Sequence, residues 1–319
     1  MSTRLGGKLF AVCCMLCATA TAQQYPTRPI RFITVGGDDA IPRLVAQALS
    51  GSLGQQVYVE DHAGASGTIG ADVASRAPAD GYNFLVATSS HMVTHHFFKV
   101  SYDIQRDFEP VSLFAAYPFV LLVHPSLPVN TLDDLIRLAK ARPGQLNYSS
   151  TSAGSTTMLV TEMFKASAHI NLVHVPYKSV GAALTDVIAG QVQVNVNAIP
   201  STLSQISARR VRALAVTSST RSAALPEVPT FVEQGLPQLV AVAWSGLAAP
   251  AKTPASMIAR MNTEVVKVLR TPMVRERIVA LAMDPAENTP DEFKAFIAAD
   301  LAKWAQAVKD AKIPTEGRR

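Results

Sequence analysis

The residues most suited to chemistry in this 319-residue chain form a run of small hydroxyl and glycine residues from Ser149 to Thr157. All nine residues are Ser, Thr, Ala or Gly, and the run lies between a predicted strand and a predicted helix. Hydroxyl groups and the free backbone N–H groups of a helix start can hold an anion without a full positive charge. The run therefore indicates a carboxylate or phosphate site, although a flexible capped turn has the same composition.

Three other loops are also rich in glycine, hydroxyl or acidic residues, and each follows a predicted strand or leads into a helix. They are Gly-Gly-Asp-Asp at 36–39, Gly-Ala-Ser-Gly-Thr at 64–68 and Thr-Ser-Ser at 88–90. In open α/β sheets, ligands bind beyond the carboxyl ends of the strands, where loops of this kind begin. These loops are the places where we expect a ligand.

Sequence signatures of catalysis are scarce. The chain has no Gly-x-Ser-x-Gly elbow, Walker loop, Gly-x-Gly-x-x-Gly or His-Glu-x-x-His motif. His91 and His95 would share a helix face, with His96 beside them, but no carboxylate or cysteine ligand is near. A polar helix start or a pocket lining is the favoured role for these histidines, and a structural role is favoured for His174. We therefore expect no catalytic residues, no metal and no cofactor.

The elements that would position these loops alternate between strand and helix. Nine short apolar or β-branched runs have the length of strands, namely 30–35, 56–60, 83–87, 119–124, 146–149, 172–174, 192–196, 213–217 and 242–248. Amphipathic helices are predicted between them at 41–53, 131–141, 156–168 and 180–189. This alternation predicts an α/β fold with parallel sheets covered on both faces.

Late in the chain the pattern changes to three successive helices, at 254–269, 272–281 and 290–308. Each begins with a proline, which is tolerated in the first turn, and Thr253, Thr271 and Thr289 are the predicted N-caps. Such a tail usually packs on a sheet that was formed earlier. We therefore expect lobe one to comprise 23–123 and 240–319 and lobe two 124–239, with crossings near 123–128 and 239–244.

The first 22 residues have the features of a signal peptide. Arg4 and Lys8 precede a short apolar run, and Ala20-Thr21-Ala22 fits the cleavage rule for small residues. The run is shorter than the roughly 20 residues that a membrane span needs, so an interfacial anchor is the weaker alternative. Cleavage after Ala22 would export the protein to the periplasm and remove all three cysteines.

Charge excludes one class of partner. The formal net charge of +5 becomes +3 when the two basic residues of the signal peptide are removed, and the remaining basic residues are dispersed. The densest group, Arg209, Arg210 and Arg212, is most simply a solvated edge. We therefore expect no nucleic-acid partner.

Seven short motifs lie at 25–30, 64–71, 78–82, 141–148, 175–178, 212–217 and 225–230, and include Val-Pro-Tyr-Lys and Leu-Pro-Glu-Val-Pro-Thr. They occur in the order seen in the Bug-type receptors, which are the substrate-binding proteins of tripartite tricarboxylate transporters. The chain resembles this family over nearly its whole length. The resemblance implies a two-lobed, type II-like periplasmic binding protein (a Venus flytrap) and a carboxylated ligand held by amides, hydroxyls and waters.

The resemblance also implies a set of pocket residues: Gly36, Gly37, Asp39, Thr88, Ser89, Ser150, Ser152, Gly154, Ser155, Thr156, Thr157, Tyr177, Lys178 and Asn197. Three departures from the family concern the ligand. The loop at 36–39 is several residues short, Met158 stands where a histidine is frequent, and Asn197-Ala198 replaces a common Asp-Asn pair. We expect the hydroxyl run to hold the carboxylate and Asp39 to face the far end of the solute.

Three functions are compatible with these observations. The favoured one is a monomeric receptor that delivers a small carboxylated solute to the membrane subunits of a tripartite tricarboxylate-type transporter. An extracytoplasmic sensor that reports to a membrane kinase would have the same pocket. A hydrolase with a Ser or Thr nucleophile is third, because no base in the required relation to a nucleophile is evident. We therefore expect the chain not to be an enzyme.

Overall fold

The computed structural model describes residues 25–35, 40–62, 64, 67–151 and 154–311. Ten strands lie within these ranges: β1 (Ile30–Thr34), β2 (Val57–Asp61), β3 (Asn83–Thr88), β4 (Phe108–Val123), β5 (Leu146–Ser150), β6 (Leu172–Pro176), β7 (Val194–Ala198), β8 (Arg212–Val216), β9 (Val242–Pro250) and β10 (Asp284–Pro285). The helices are α1 (Ala40–Leu53), α2 (Thr68–Ser75), α3 (Ser89–Thr94), α4 (Leu132–Ala141), α5 (Thr156–Ala168), α6 (Val180–Ile188), α7 (Ile199–Ser207), α8 (Ala255–Leu269), α9 (Pro272–Ala280) and α10 (Pro290–Asp310).

The strands join in one sheet in the order β2-β1-β3-β9-β4-β7-β5-β6, with β8 and β10 also paired to β4. Strands β1, β2 and β3 are parallel to one another, and so are β5, β6 and β7. The expectation of wholly parallel sheets is wrong at the centre, where β9 runs antiparallel to β3 and β4, and β4 runs antiparallel to β7 and β8.

Strand β4 connects the two halves of the sheet. Its residues 108–118 pair with β9, whereas residues 119–123 pair with β7 and β8. We call β1–β3, β9 and 108–118 the first half, and β5–β8 and 119–123 the second half. The chain thus changes partners inside a strand, a few residues before the crossing expected near 123–128. Pro110 and Pro118 interrupt the strand pattern in the sequence, since proline cannot donate to a ladder.

The two segments that connect the halves are tied together by Thr217. Its N–H donates to the carbonyl of Phe119, 3.0 Å away, and its hydroxyl donates to the carbonyl of Ala241 at 2.6 Å. The N–H of Ala241 returns a bond to the Thr217 carbonyl at 2.9 Å. Any rotation of one half against the other would change the geometry of these Thr217 hydrogen bonds. The lobe limits expected above stay a prediction.

The C-terminal helices pack back on the sheet. Helix α10 contacts α3 and β4 and also α5 of the second half. Its buried Asp300 accepts the indole N–H groups of Trp244 at 2.8 Å and Trp304 at 3.0 Å and pairs with Lys303 at 2.6 Å. This network fixes the tail to β9. No helix among the described residues is both long and apolar enough to cross a membrane.

The three predicted N-caps of the tail have different outcomes. Thr289 forms a full capping box with Glu292, with bonds of 3.2 Å and 2.8 Å. Thr271 is the N-cap of α9 but makes no side-chain capping bond. The prediction of Thr253 as the N-cap of α8 is wrong, because α8 starts after Pro254. The Thr253 hydroxyl instead donates to the Pro250 carbonyl at 2.7 Å, which closes a turn.

Candidate ligand-binding site

Helix α5 begins directly after the hydroxyl run. Ser155 is its N-cap, and the Ser155 Oγ accepts the backbone N–H of Met158 at 3.2 Å. The same oxygen lies 3.1 Å from the Oγ1 of Thr157. One part of the run is therefore a capped turn that orders the helix start. The 13-residue helix presents the positive end of its dipole at this point.

Thr156, the first residue of α5, has a different environment. Its side chain is only 5% exposed, and its Oγ1 has no hydrogen-bond partner in the described part of the chain. A buried hydroxyl without a partner costs about 1–3 kcal/mol. Thr161, one turn further on, is equally buried but donates to the Thr157 carbonyl at 2.8 Å. Thr156 thus keeps a free hydroxyl at the helix N-terminus, where an anion would be bound.

Ser150, at the end of β5, contacts a histidine. Its Oγ lies 2.7 Å from Nε2 of His174, whose ring stacks on Tyr148 with centroids 4.8 Å apart. Burial lowers the pKa of His174, so the ring is neutral at pH 7. The nearby carboxylate, Glu162, bonds to the Tyr148 hydroxyl and to Lys165.

This contact places a base beside a hydroxyl, a relation that is not evident from the sequence. A serine–histidine pair becomes a catalytic unit when a third group orients the histidine and the serine can reach a substrate. Here the carboxylate of Glu162 is bound to Tyr148 and Lys165, and the Ser150 side chain is buried. The arrangement holds the Ser150 hydroxyl in one orientation at the carboxyl edge of the sheet.

Thr88 and His91 order the corresponding edge of the first half. The N–H of Thr88, the last residue of β3, donates to His91 Nδ1 at 3.0 Å. Burial lowers the pKa of His91 to about 4, so this histidine is neutral and its Nε2 carries the proton. The ring packs edge-on against Tyr102. His91 is therefore a cap of the turn into α3, as expected for a polar helix start, and Ser89 is buried beside it.

Gly154 brings the two halves of the sheet into contact. It follows β5, yet a Cβ placed on it would lie 2.8 Å from both Phe97 Cβ and Phe98 Cε2, which belong to the segment after α3. Its φ is +78°, a left-handed conformation that favours glycine. Its N–H donates to the sulfur of Met158 at 3.3 Å. The contact between the loop after β5 and the segment after α3 is therefore apolar and tightly packed.

The remaining candidates differ in their positions. The Tyr177 hydroxyl donates to Asp186 at 2.6 Å, and burial together with this bond raises the pKa of Tyr177 to about 12. Lys178 is exposed, whereas Asn197 is buried at the end of β7 with its Oδ1 accepting the Ala198 N–H at 2.9 Å. The predicted candidates outside the described residues are Gly36, Gly37, Asp39 and Ser152.

A further buried hydroxyl lies at the carboxyl edge of the first half and is not among the residues selected from the sequence. Ser245 lies in β9 directly opposite Thr88, and its hydroxyl is buried without a partner among the described residues. The mostly apolar run 242–248 predicts a strand and does not by itself single out Ser245. The available signal was a lone hydroxyl residue inside an apolar strand.

The fold and these residues define a class of protein. Two α/β halves joined through β4 and β9 place neutral hydrogen-bonding groups at the carboxyl edges of their strands, which is the arrangement of a two-lobed solute-binding protein. The family model for the tripartite tricarboxylate transporter family receptor matches residues 41–313. The chain belongs to this receptor family, so the predicted family and fold class are confirmed.

Individual relatives agree with this assignment. The chain is 35% identical over 311 residues to the protein BugT of Bordetella pertussis, covering 95% of each chain. Among solved structures it is similar to R. palustris Rpa4515 with adipate, at 32% identity and a TM-score of 0.84 over 91% of this chain and 99% of that one. It is also similar to MatC from Rhodopseudomonas palustris with bound malate, at 27% identity and a TM-score of 0.81 over 89% and 100%. Receptors of this family are periplasmic solute-binding proteins.

Proposed function

We propose that this protein captures a small carboxylated solute in the periplasm and delivers it to the membrane subunits of a tripartite tricarboxylate-type transporter. The observation that carries the proposal is the buried Oγ1 of Thr156 at the N-terminus of α5, which has no hydrogen-bond partner among the residues that the structure describes. A carboxylate offers acceptors only, and it would satisfy this donor while meeting the positive end of the helix dipole. The two similar structures with adipate and malate support this ligand class.

Neutral groups are sufficient for such a site. Hydrogen bonds to a charged group contribute about 1.5–3 kcal/mol each, so three of them near the upper end of this range reach the about 8 kcal/mol of micromolar binding without a cationic side chain. The hydroxyl of Ser150 and the backbone N–H groups at the start of α5 are the proposed companions of Thr156. Asp39, whose position lies outside the described residues, is proposed for the far end of the solute.

We further propose that the protein is not an enzyme, although Ser150 and His174 are in contact. The nearby carboxylate, Glu162, is bonded to Tyr148 and Lys165 and so does not orient His174, which favours a structural pair. Incubation with esters and amides of the bound acid should give no turnover above that of a Ser150→Ala variant. Serine-dependent hydrolysis would establish the third candidate function instead.

Transport is favoured over sensing by the family, and both roles use the same pocket. We propose that the receptor acts as a monomer after its signal peptide is removed. The intact mass of exported protein should correspond to a chain that begins at Gln23, and native mass spectrometry should show a single copy. A mass that retains Met1, or a dimer at micromolar concentration, would contradict these two points.

The test of the proposed site compares two buried threonines of α5. Thr156→Val should weaken binding of a carboxylated ligand about tenfold or more, measured by calorimetry with the acid that most raises the melting temperature of the wild type. Thr161→Val is the matched control, since it loses a bond inside the helix and should bind the ligand normally. Equal affinity of Thr156→Val and wild type, or no thermal shift with any carboxylate, would refute the proposed function.

A further inference from the structure

Ser245 lies at the carboxyl edge of the first half, away from α5. In the sheet register Ile33 of β1 pairs with Leu85 of β3, whereas Ser245 pairs with Thr88, three residues further along β3. Because β1 ends at Thr34, Ser245 lies beyond the carboxyl end of β1. It is also the first residue of β9 that pairs with β3, opposite the last residue of β3. This is the level at which α/β sheets bind ligands.

The ladder between β4 and β9 is irregular at the same point. Its register shifts between Leu113 and Ala115, opposite Gly246 and Ser245. Bulges of this kind re-aim side chains and are frequent beside functional sites. The irregularity and the unpartnered hydroxyl therefore coincide at the edge of the sheet.

The Ser245 hydroxyl is 8% exposed and has no hydrogen-bond partner in the part of the chain that the structure describes. Alanine would avoid the cost of burying a hydroxyl without a bond, so the fold by itself gives no reason for serine. Ser112 in the same ladder is also buried, but its hydroxyl bonds to the Leu113 carbonyl at 3.4 Å. Ser245 thus resembles Thr156 and differs from Ser112.

We infer that Ser245 is a ligand-binding residue that sets specificity, forming a hydrogen bond with a second oxygen function at the end of the solute opposite the carboxylate. The inference rests on the proposed function, in which Thr156 of the second half holds that carboxylate. A hydroxyl can donate to a second carboxylate or a carbonyl and can accept from an alcohol. The ligand class is therefore a dicarboxylate or a hydroxy or oxo acid, in preference to a simple fatty acid.

The experiment uses pairs of acids that differ only in the second oxygen function. Adipate is compared with hexanoate, and succinate with butyrate, by calorimetry on the wild type and on Ser245→Ala, Ser245→Cys, Ser112→Ala and Thr156→Val. The wild type should prefer the member with the second oxygen function. Ser245→Ala should bind that member about tenfold more weakly and its partner unchanged, and Ser245→Cys, whose thiol is a weak donor, should be intermediate.

The thermal stability of the ligand-free variants distinguishes a binding role of Ser245 from a structural role. Ser245→Ala should melt at or above the temperature of the free wild type, because it removes an unpartnered buried hydroxyl. The Ser112→Ala control should bind every acid as the wild type does.

Four results would overturn the inference. They are unchanged affinities in Ser245→Ala, an equal loss for both members of a pair, destabilisation of free Ser245→Ala and Ser245→Cys, and no preference by the wild type. In each case a loss in Thr156→Val would leave the proposed function intact. If no acid shifts the melting temperature of the wild type, the proposed function fails and the assignment of Ser245 fails with it.

Discussion

Gly154 offers the sharpest test of how the two halves of the protein work together. In Gly154→Ala the added methyl group would lie 2.8 Å from Phe97 Cβ and from Phe98 Cε2. Carbon atoms in contact prefer about 3.5–4.0 Å, so the loop after β5 must move away from the α3 segment by about 1 Å. Because a ligand drives closure only through contacts that the closed state allows, this movement should weaken ligand binding.

The magnitude is obtained by comparison with a second glycine. Gly54 also has a left-handed backbone, with φ of +65°, but no atom lies within 4 Å of a Cβ placed there. Alanine in this conformation costs about 1–2 kcal/mol, and both variants should lose this amount of stability. Gly154→Ala should in addition bind the ligand at least about tenfold more weakly, which corresponds to about 1.4 kcal/mol.

Two measurements follow from this comparison. Urea unfolding of the free proteins should show similar losses for Gly154→Ala and Gly54→Ala, since a shift of about 1 Å in the loop after β5 relieves the added contact in the free protein. Calorimetry should show the affinity loss in Gly154→Ala alone, and small-angle scattering should find it less compact than Gly54→Ala at saturating ligand. Equal affinities would refute the reasoning, and so would a stability loss several kcal/mol greater in Gly154→Ala, because the contact would then belong to the core.

Three further outcomes are expected. Burial lowers the pKa of His91 to about 4, below its unfolded value of about 6.5, so protonation favours the unfolded chain. The unfolding free energy should therefore fall by about 1.4 kcal/mol for each pH unit between about 6.5 and 4. Urea unfolding at several pH values should show that His91→Gln lacks this contribution to the pH dependence, and an equal pH dependence in wild type and variant would contradict it. Asp300→Leu leaves the indole N–H groups of Trp244 and Trp304 without their acceptor and should lower the unfolding free energy by about 3 kcal/mol or more, whereas an unchanged urea midpoint would argue against the network. Tyr177→Phe removes the bond to Asp186 and should cost about 1 kcal/mol of stability with no change in ligand affinity by calorimetry; a weaker affinity would indicate that this hydroxyl contacts the ligand.

Much of the architecture could be predicted from local patterns. The limits of α5 agree with the prediction at 156–168, and β1, β3 and β5 differ from their predicted ranges by one residue at the carboxyl end. These elements have a clear hydrophobic period and definite start or stop residues, so neighbouring residues alone determine them. Motifs in family order then indicated the binding-protein fold without any long-range information.

The central strands could not be predicted in the same way. Residues 108–118 contain two prolines and several polar residues, and they form a strand because β9 lies beside them. The antiparallel direction of β9 likewise depends on which strand it meets after the chain returns from the second half. Partners far apart in sequence decide these features, and no local period records them.

The candidate site likewise combines features that local sequence predicts with features that depend on tertiary structure. Composition determined that the hydroxyl run precedes a helix and is rich in donors, because serine, threonine and glycine favour capped turns whatever surrounds them. It could not distinguish Ser155, whose hydroxyl caps α5, from Thr156, whose hydroxyl has no partner among the described residues. It also could not pair Ser150 with His174 or place Ser245 beside Thr88. The tertiary structure alone decided which hydroxyls are used by the fold and which have no partner among the described residues, since a hydrogen bond depends on where two distant segments meet.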